Sequence, residues 1–359
     1  MSYYPNSIRQ SSTTLLPITN HTEKSRFQKT PLQVITLSTN SRNSFKPMSS
    51  ALFKWAKGLT TLTITMISLY LFYQYREDFY LISNITPALF ITLSFLAVLS
   101  IIINGNKLRL IMQSFNIELN FNEWIGLSFI SSSLNGVVYK SGSLATSNYL
   151  KRKHNFPYFS FLGSFGADHL MMILINACVG LGASVYAMTL SEKIMPFTLL
   201  FLAMVIAISY LVRSPFRLSK PENRYLDALF RAAETLNKIL QNKMLFRKLF
   251  LNNIFLATVM GLRLYIACKA IDINFEILHC YLFTTVSAFV RLIPMLQSDI
   301  GSRELAVGFL SESIGSGFKQ GVLATAADRI FEMAWALIGM AVFRNLIISP
   351  TANNSPDKI

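Results

Sequence analysis

Gly142-Ser143, leading on to Ala167-Asp168-His169-Leu170, and Gly301-Ser302, leading on to Ala327-Asp328-Arg329-Ile330, are two stretches of this chain that read alike. The glycine-to-aspartate spacings differ by one residue, and each aspartate opens an apolar run long enough to cross a bilayer. A duplicated membrane unit is the expectation. Duplicated halves with a polar element at membrane depth are how transporters build a site between repeats.

Composition points the same way. The 359 residues are 52% hydrophobic and only 14% charged, too apolar for an ordinary soluble domain. The formal charge of +15 does not indicate a nucleic-acid binder, because the basic residues sit in the tail and in loops between apolar runs rather than on one face. They are better explained as topology determinants and contacts to anionic inner-leaflet lipids. Cys178, Cys268 and Cys280 lie in or beside apolar runs without ligand-like spacing and read as packing residues.

Apolar windows fall at 58–75, 85–104, 158–188, 194–212, 250–268 and 319–343, which predicts six spans at about 20 residues each. Two further segments, 124–150 and 279–315, begin apolar and turn polar at their centres. If 124–150 crossed once, Lys151-Arg152-Lys153 would fall outside, against the positive-inside tendency. A segment that dips in and returns keeps them cytoplasmic. The same bookkeeping puts the basic connection from Arg213 to Lys248 inside, as an amphipathic helix on the inner leaflet.

The predicted fold class is therefore all-α: a polytopic transmembrane bundle of two inverted repeats, each with about three spans and one re-entrant helical hairpin. The expected organisation is a disordered basic cytoplasmic tail over 1–50, a first repeat over 51–190, a second over 191–345 and a cytoplasmic tail over 346–359. This topology places both termini on the cytoplasmic side of a cell (inner) membrane. Irregular backbone at membrane depth survives only where protein or water satisfies it, so the two hairpins should meet across a polar interior.

The second hairpin, Ile293-Pro294-Met295-Leu296-Gln297-Ser298-Asp299-Ile300-Gly301-Ser302-Arg303-Glu304, resembles the Pro…Gly-x-Arg-Glu signature of the lysylphosphatidylglycerol synthase transmembrane, or flippase-like, family. The Ala-Asp-Arg-Ile helix that follows fits it too. The first hairpin is similar to the family's Asn…Gly region through Asn135 and Gly142, but lacks a proline near Tyr139 and carries Leu144, Ala145 and Thr146 where an arginine is expected. The resemblance covers about residues 52 to 345. It implies a membrane protein that handles lipids, in some relatives by moving an aminoacylated or glycosylated phospholipid between leaflets. Relatives that synthesise aminoacyl-lipid carry a soluble transferase domain after the membrane region; none follows here before Ile359, so synthesis by this polypeptide is not expected.

A charge near the bilayer centre costs about 2.5 to 3.5 kcal/mol on insertion scales and is seldom kept without a partner. Arg303 and Glu304 head the candidates for binding a lipid headgroup. Adjacent helical residues do not face each other, so each should reach another element. Arg303 suits either a phosphate, which its guanidinium fork matches, or a buried pair with Asp328 or Asp168. Asp328 and Glu332 share a helix face with Arg329 offset; they could hold a proton or a cationic headgroup, or neutralise Arg291 and Arg303. Asp168 and His169 occupy the matching place in the first copy, where His169 could couple protons to transport or simply be a satisfied structural residue. Arg263 reads as snorkelling towards water from near a helix end. Lys140 could replace the missing arginine, with Asn135 and Asp299 lining the hairpin tips.

Two functional readings stand: a flippase-like translocase of a modified phospholipid or glycolipid, or an accessory subunit or membrane enzyme in glycan or glycolipid assembly. A lipid-modifying enzyme or glycosyltransferase is an expected partner in either case. The sequence has no Asp-x-Asp metal motif, no His/Cys cluster, no phosphate-cradling glycine loop and no nucleophile elbow. Neither catalysis nor a cofactor or metal is expected.

Overall fold

A computed structural model describes residues 66, 85–138, 140–189, 191–214, 224–291 and 301–348. The expected 58–75 span apart from Met66, the tail over 1–50, the tail beyond 348 and the tip of the second hairpin, Asp299 included, lie outside these. The described residues form helices α1 (Pro87–Gln113), α2 (Phe121–Val137), α3 (Ser141–His154), α4 (Tyr158–Met188), α5 (Met195–Arg213), α6 (Arg224–Gln241), α7 (Lys243–Ala270), α8 (Ile277–Val290), α9 (Ser302–Ser313), α10 (Phe318–Val342) and α11 (Asn345–Ile348). The all-α class holds, and four helical segments, Pro87–Gln113, Tyr158–Met188, Glu192–Arg213 and Lys243–Ala270, are long and apolar enough to cross a membrane.

α10 departs from the expected span at 319–343. It has the length, at 25 residues or about 37 Å, but it carries Asp328, Arg329 and Glu332 through its middle and is not among the four apolar spans. Instead it is a central element, packed on α1, α2, α7 and α9. α5 is its opposite: only 11% of its apolar window is buried, and Leu199, Leu200, Leu202 and Ile206 are exposed. In water such a continuous apolar face would be a liability; in a bilayer it is the solvated surface.

Both interrupted segments fold as helical hairpins. α2 and α3 pair with each other, and Lys140, which precedes α3, takes the left-handed conformation at φ 59°. Asn135 Oδ1 accepts the Gly142 N–H at 2.9 Å, and Ser141 Oγ donates to the Leu134 carbonyl at 2.8 Å, so the turn's polar backbone is satisfied from within. A Cβ at position 142 would run into the Ser131 backbone, which is why the arms need glycine there. α8 and α9 form the second pair. The four arms have 17, 14, 14 and 12 residues, short of the about 20 that one crossing requires.

α1 and α7, which precede the two hairpins, run antiparallel against each other. Asn106 and Lys107 of α1 reach Asn252 and Asn253 of α7, Ser100 reaches Arg263, and Leu93 packs near Ala267. Each helix comes close to its own hairpin at a glycine two residues before a cation. Gly105 of Gly105-Asn106-Lys107 lies under Trp124 of α2, and Gly261 of Gly261-Leu262-Arg263 lies under Tyr281 of α8. α6 is the helix expected in the basic connection, and it packs Thr235, Leu236 and Ile239 inward, against α4 at Gly163 and Gly166. Two apolar clusters flank the polar centre, one around Met112, Leu127, Leu150 and Met171, the other around Phe201, Leu264, Phe283 and Leu310.

Candidate functional site

A buried ion costs several kcal/mol unless it is paired and its hydrogen-bonding capacity filled, and the centre of the molecule obeys that rule closely in one half. Asp328 on α10 is fully buried. Arg263 on α7 clamps it bidentately, Nε to Oδ1 at 2.5 Å and Nη2 to Oδ2 at 3.0 Å, while Nη2 also donates to Glu332 at 2.7 Å and Nη1 to Ser100 Oγ at 3.0 Å. From α9, Arg303 Nη2 donates to Asp328 Oδ2 at 2.6 Å and Nη1 lies 3.7 Å from Glu332; Arg291 lies 3.8 Å from Glu332.

Arg263 does not snorkel. Its side chain is 1% exposed, because α10 supplies two carboxylates at its level, and it is the anchor of the cluster rather than a bystander. Arg303 and Glu304 turn to different partners, as their adjacency requires: Glu304 accepts from Arg329 at 3.1 Å and closes the start of α9 by accepting the Gly301 N–H at 2.8 Å. Asp328 and Glu332 lie against Arg291 and Arg303, one of the two arrangements the sequence left open, with Arg263 added.

The first half carries a smaller cluster. Lys107 Nζ on α1 donates to Asp168 on α4 at 3.0 Å and to Asn253 on α7 at 3.3 Å, and Asn253 Nδ2 donates to the other Asp168 oxygen at 3.2 Å. Lys107 is residue 21 of α1 and Arg263 residue 21 of α7; Asp168 is residue 11 of α4 and Asp328 residue 11 of α10. The two ion pairs therefore occupy matching positions. In each, the helix before a hairpin gives the cation and the helix after it gives the aspartate. His169 spends Nδ1–H on the Phe165 carbonyl at 3.0 Å and packs on the Phe165 ring, the arrangement of a satisfied structural histidine.

Between these clusters and the hairpins lies a cavity of about 330 Å³. Lys107, Lys140, Arg291, Arg303 and Arg329 line it, against Asp168 and Glu332, so its described walls carry an excess of positive charge. Asn135, Ser131 and Ser132 add polar surface from the first hairpin, and Leu108, Met112, Leu127, Phe161, Met172 and Met333 form an apolar side. The lining residues Thr146, on the first hairpin, and Arg303, on the second, hold buried polar atoms, Oγ1 and Nε, without a hydrogen-bond partner. A buried unsatisfied donor costs about 1 to 3 kcal/mol, and both residues belong to the wall of the cavity.

Of the expected site residues, Arg303, Arg291, Arg329, Glu332, Lys140, Asn135, Asp168 and His169 are brought to one cavity, with Glu304 and Asp328 directly behind it. Lys107, Asn253, Arg263 and Thr146 were not anticipated. The one signal for the cations was the Gly-x-Lys and Gly-x-Arg recurrence before each hairpin. No group of His, Cys, Asp and Glu among the described residues could hold a metal ion. At the foot of the first hairpin, Glu123 accepts from Lys153 at 2.6 Å, Tyr149 at 2.7 Å and the Asn120 N–H at 2.8 Å. Burial alone would raise its carboxyl; these bonds outweigh burial and hold it below the ordinary value.

Fold and site together define a multi-pass membrane protein with a charged interior enclosed by helical hairpins. Residues 58–339 match the Lysylphosphatidylglycerol synthase TM region family, and the chain belongs to it. No curated protein and no solved structure matches the chain.

Proposed function

We propose that this protein binds the headgroup of an anionic phospholipid or glycolipid in the cavity between its hairpins and moves the lipid between leaflets, without catalysing a reaction on it. The observation that carries this reading is one cavity lined by Lys107, Lys140, Arg291, Arg303 and Arg329 against two carboxylates, to which both hairpins contribute, Thr146 from one and Arg303 from the other. A phosphate presents several acceptor oxygens at once and a guanidinium fork suits it. The apolar side of the cavity accommodates what adjoins the headgroup.

Alternating access follows from the same arrangement. Antiparallel α1 and α7, the matching ion pairs and the short hairpin arms support two inverted repeats whose hairpins enter from opposite faces, so that one site can be opened to either side. The cytoplasmic placement of Lys151-Arg152-Lys153 and of α6 goes with this topology, as do contacts between basic residues and inner-leaflet lipids. A lipid-modifying enzyme or glycosyltransferase would supply the lipid.

The test is leaflet exchange of a fluorescent phosphatidylglycerol in proteoliposomes. Thr146→Val removes the hydroxyl but keeps the side-chain shape, so it should leave insertion and melting intact while slowing exchange about tenfold. Exchange at the wild-type rate in that variant, or no exchange by the wild type, would overturn the proposal.

A further inference from the structure

The two matching ion pairs differ in how firmly the cation is held. Arg263 meets Asp328 through a two-point fork, shares Glu332 and Ser100, and is 1% exposed; removing it would leave Asp328 to Arg303 alone and Glu332 to the longer contacts of Arg303 and Arg291. Lys107 is a point charge with three donors. Two of them are engaged, on one carboxylate and one neutral amide. Lys107 and Asp168 both line the cavity, with side chains 7% and 13% exposed, whereas Arg263 and Asp328 do not line it.

We infer that Lys107 is a headgroup ligand held in reserve by Asp168: an anionic phosphate entering the cavity takes the place of the Asp168 carboxylate on the Lys107 ammonium, and the carboxylate takes the ammonium back when the lipid leaves. This inference rests on the cavity being a lipid-headgroup site. The exchange is charge-neutral at Lys107, since one oxyanion replaces another. Asp168 is not stranded meanwhile, because Asn253 Nδ2 continues to donate to it and its own exposure is to the cavity. A translocase needs a grip that can be released, and a cation with a resident competing anion provides one. The second-half pair stays closed throughout and holds the framework against which the first half works.

Opposite signs make the inference testable. Equilibrium binding of fluorescent phosphatidylglycerol to the detergent-purified full chain should weaken about tenfold in Lys107→Met and tighten about tenfold in Asp168→Asn, which removes the competitor and keeps the shape. Lys107→Met/Asp168→Asn should bind like Lys107→Met. Asn253→Asp gives Lys107 a second carboxylate, copying the closed half, and should weaken binding about tenfold; it keeps the inference testable if Asp168→Asn does not fold. A purely structural pair would make Lys107→Met and Asp168→Asn change binding in the same direction, together with melting temperature, and that result overturns the inference. Wild-type protein that binds no labelled lipid overturns the headgroup reading as well; wild-type binding without tightening in Asp168→Asn overturns this inference alone.

Discussion

The Lys107–Asp168 pair and the Arg263–Asp328 pair sit at the same positions of corresponding helices, yet one opens on the cavity and the other is sealed. Around Arg263 and Asp328, two arginines and two carboxylates meet at 2.5 to 3.0 Å along most of their contacts, and of these four residues only Arg303 and Glu332 reach the cavity. In the open half a lysine, an aspartate and an asparagine do so more loosely, at 3.0 to 3.3 Å. The same helix positions thus carry an ion pair twice, built from different residue types. Arginine with paired carboxylates makes a rigid joint; lysine with one carboxylate leaves a charge that a ligand can borrow.

This difference is broken most forcefully by Arg263→Met, which leaves Asp328 and Glu332 without their main cation. It should cost about 3 to 5 kcal/mol and prevent recovery of monodisperse protein, or lower its melting temperature sharply. Thiol-dye melting in a Cys178→Ser background is a suitable assay, because Cys268 and Cys280 are buried while Cys178 is exposed. Lys107→Met, at the matching position, should cost less, about 1 to 3 kcal/mol, since Asp168 keeps Asn253 and some exposure. Equal losses in the two variants would erase the distinction between a closed and an open half.

A smaller effect separates the hairpin's foot from its tip. Glu123→Gln loses the Lys153 ion pair and should cost about 1 to 2 kcal/mol near neutral pH. Because the folded carboxyl is held below its ordinary value of 4.5, that contribution is complete above this value and is lost as pH falls through the folded one. Wild type and variant should therefore melt together in acid. Smallest of all, Thr146→Val should leave the melting temperature unchanged or slightly raised, because it deletes a hydroxyl whose hydrogen bond is not made.

Much of this was legible in the chain itself. The polar interruptions at Asn135 to Gly142 and around Gly301 mark hairpins because a charged, glycine-containing break in an apolar run has no place in a simple span. Arg303 and Glu304 could be separated by helical geometry alone, and the Asp328 pairing was one of two open readings. Arg263 was misread because nothing local reveals that α10 runs beside it with two carboxylates; its pairing spans 65 residues. Lys107 and Asn253 escaped for the same reason, since each has partners on other helices that its own stretch of sequence does not reveal. Thr146 stood out only as a departure from the family pattern, and its meaning came with the cavity. The expected cysteine packing holds for Cys268 and Cys280, while Cys178 is exposed on the outer side of α4.

The claim that the cavity takes an anionic lipid headgroup is tested most directly by native mass spectrometry of the gently purified protein. The wild type should retain a phosphate-bearing anionic lipid, and Thr146→Val, folded and equally stable, should retain markedly less. A wild type that carries no such lipid, or a variant that carries as much of it, would contradict the account.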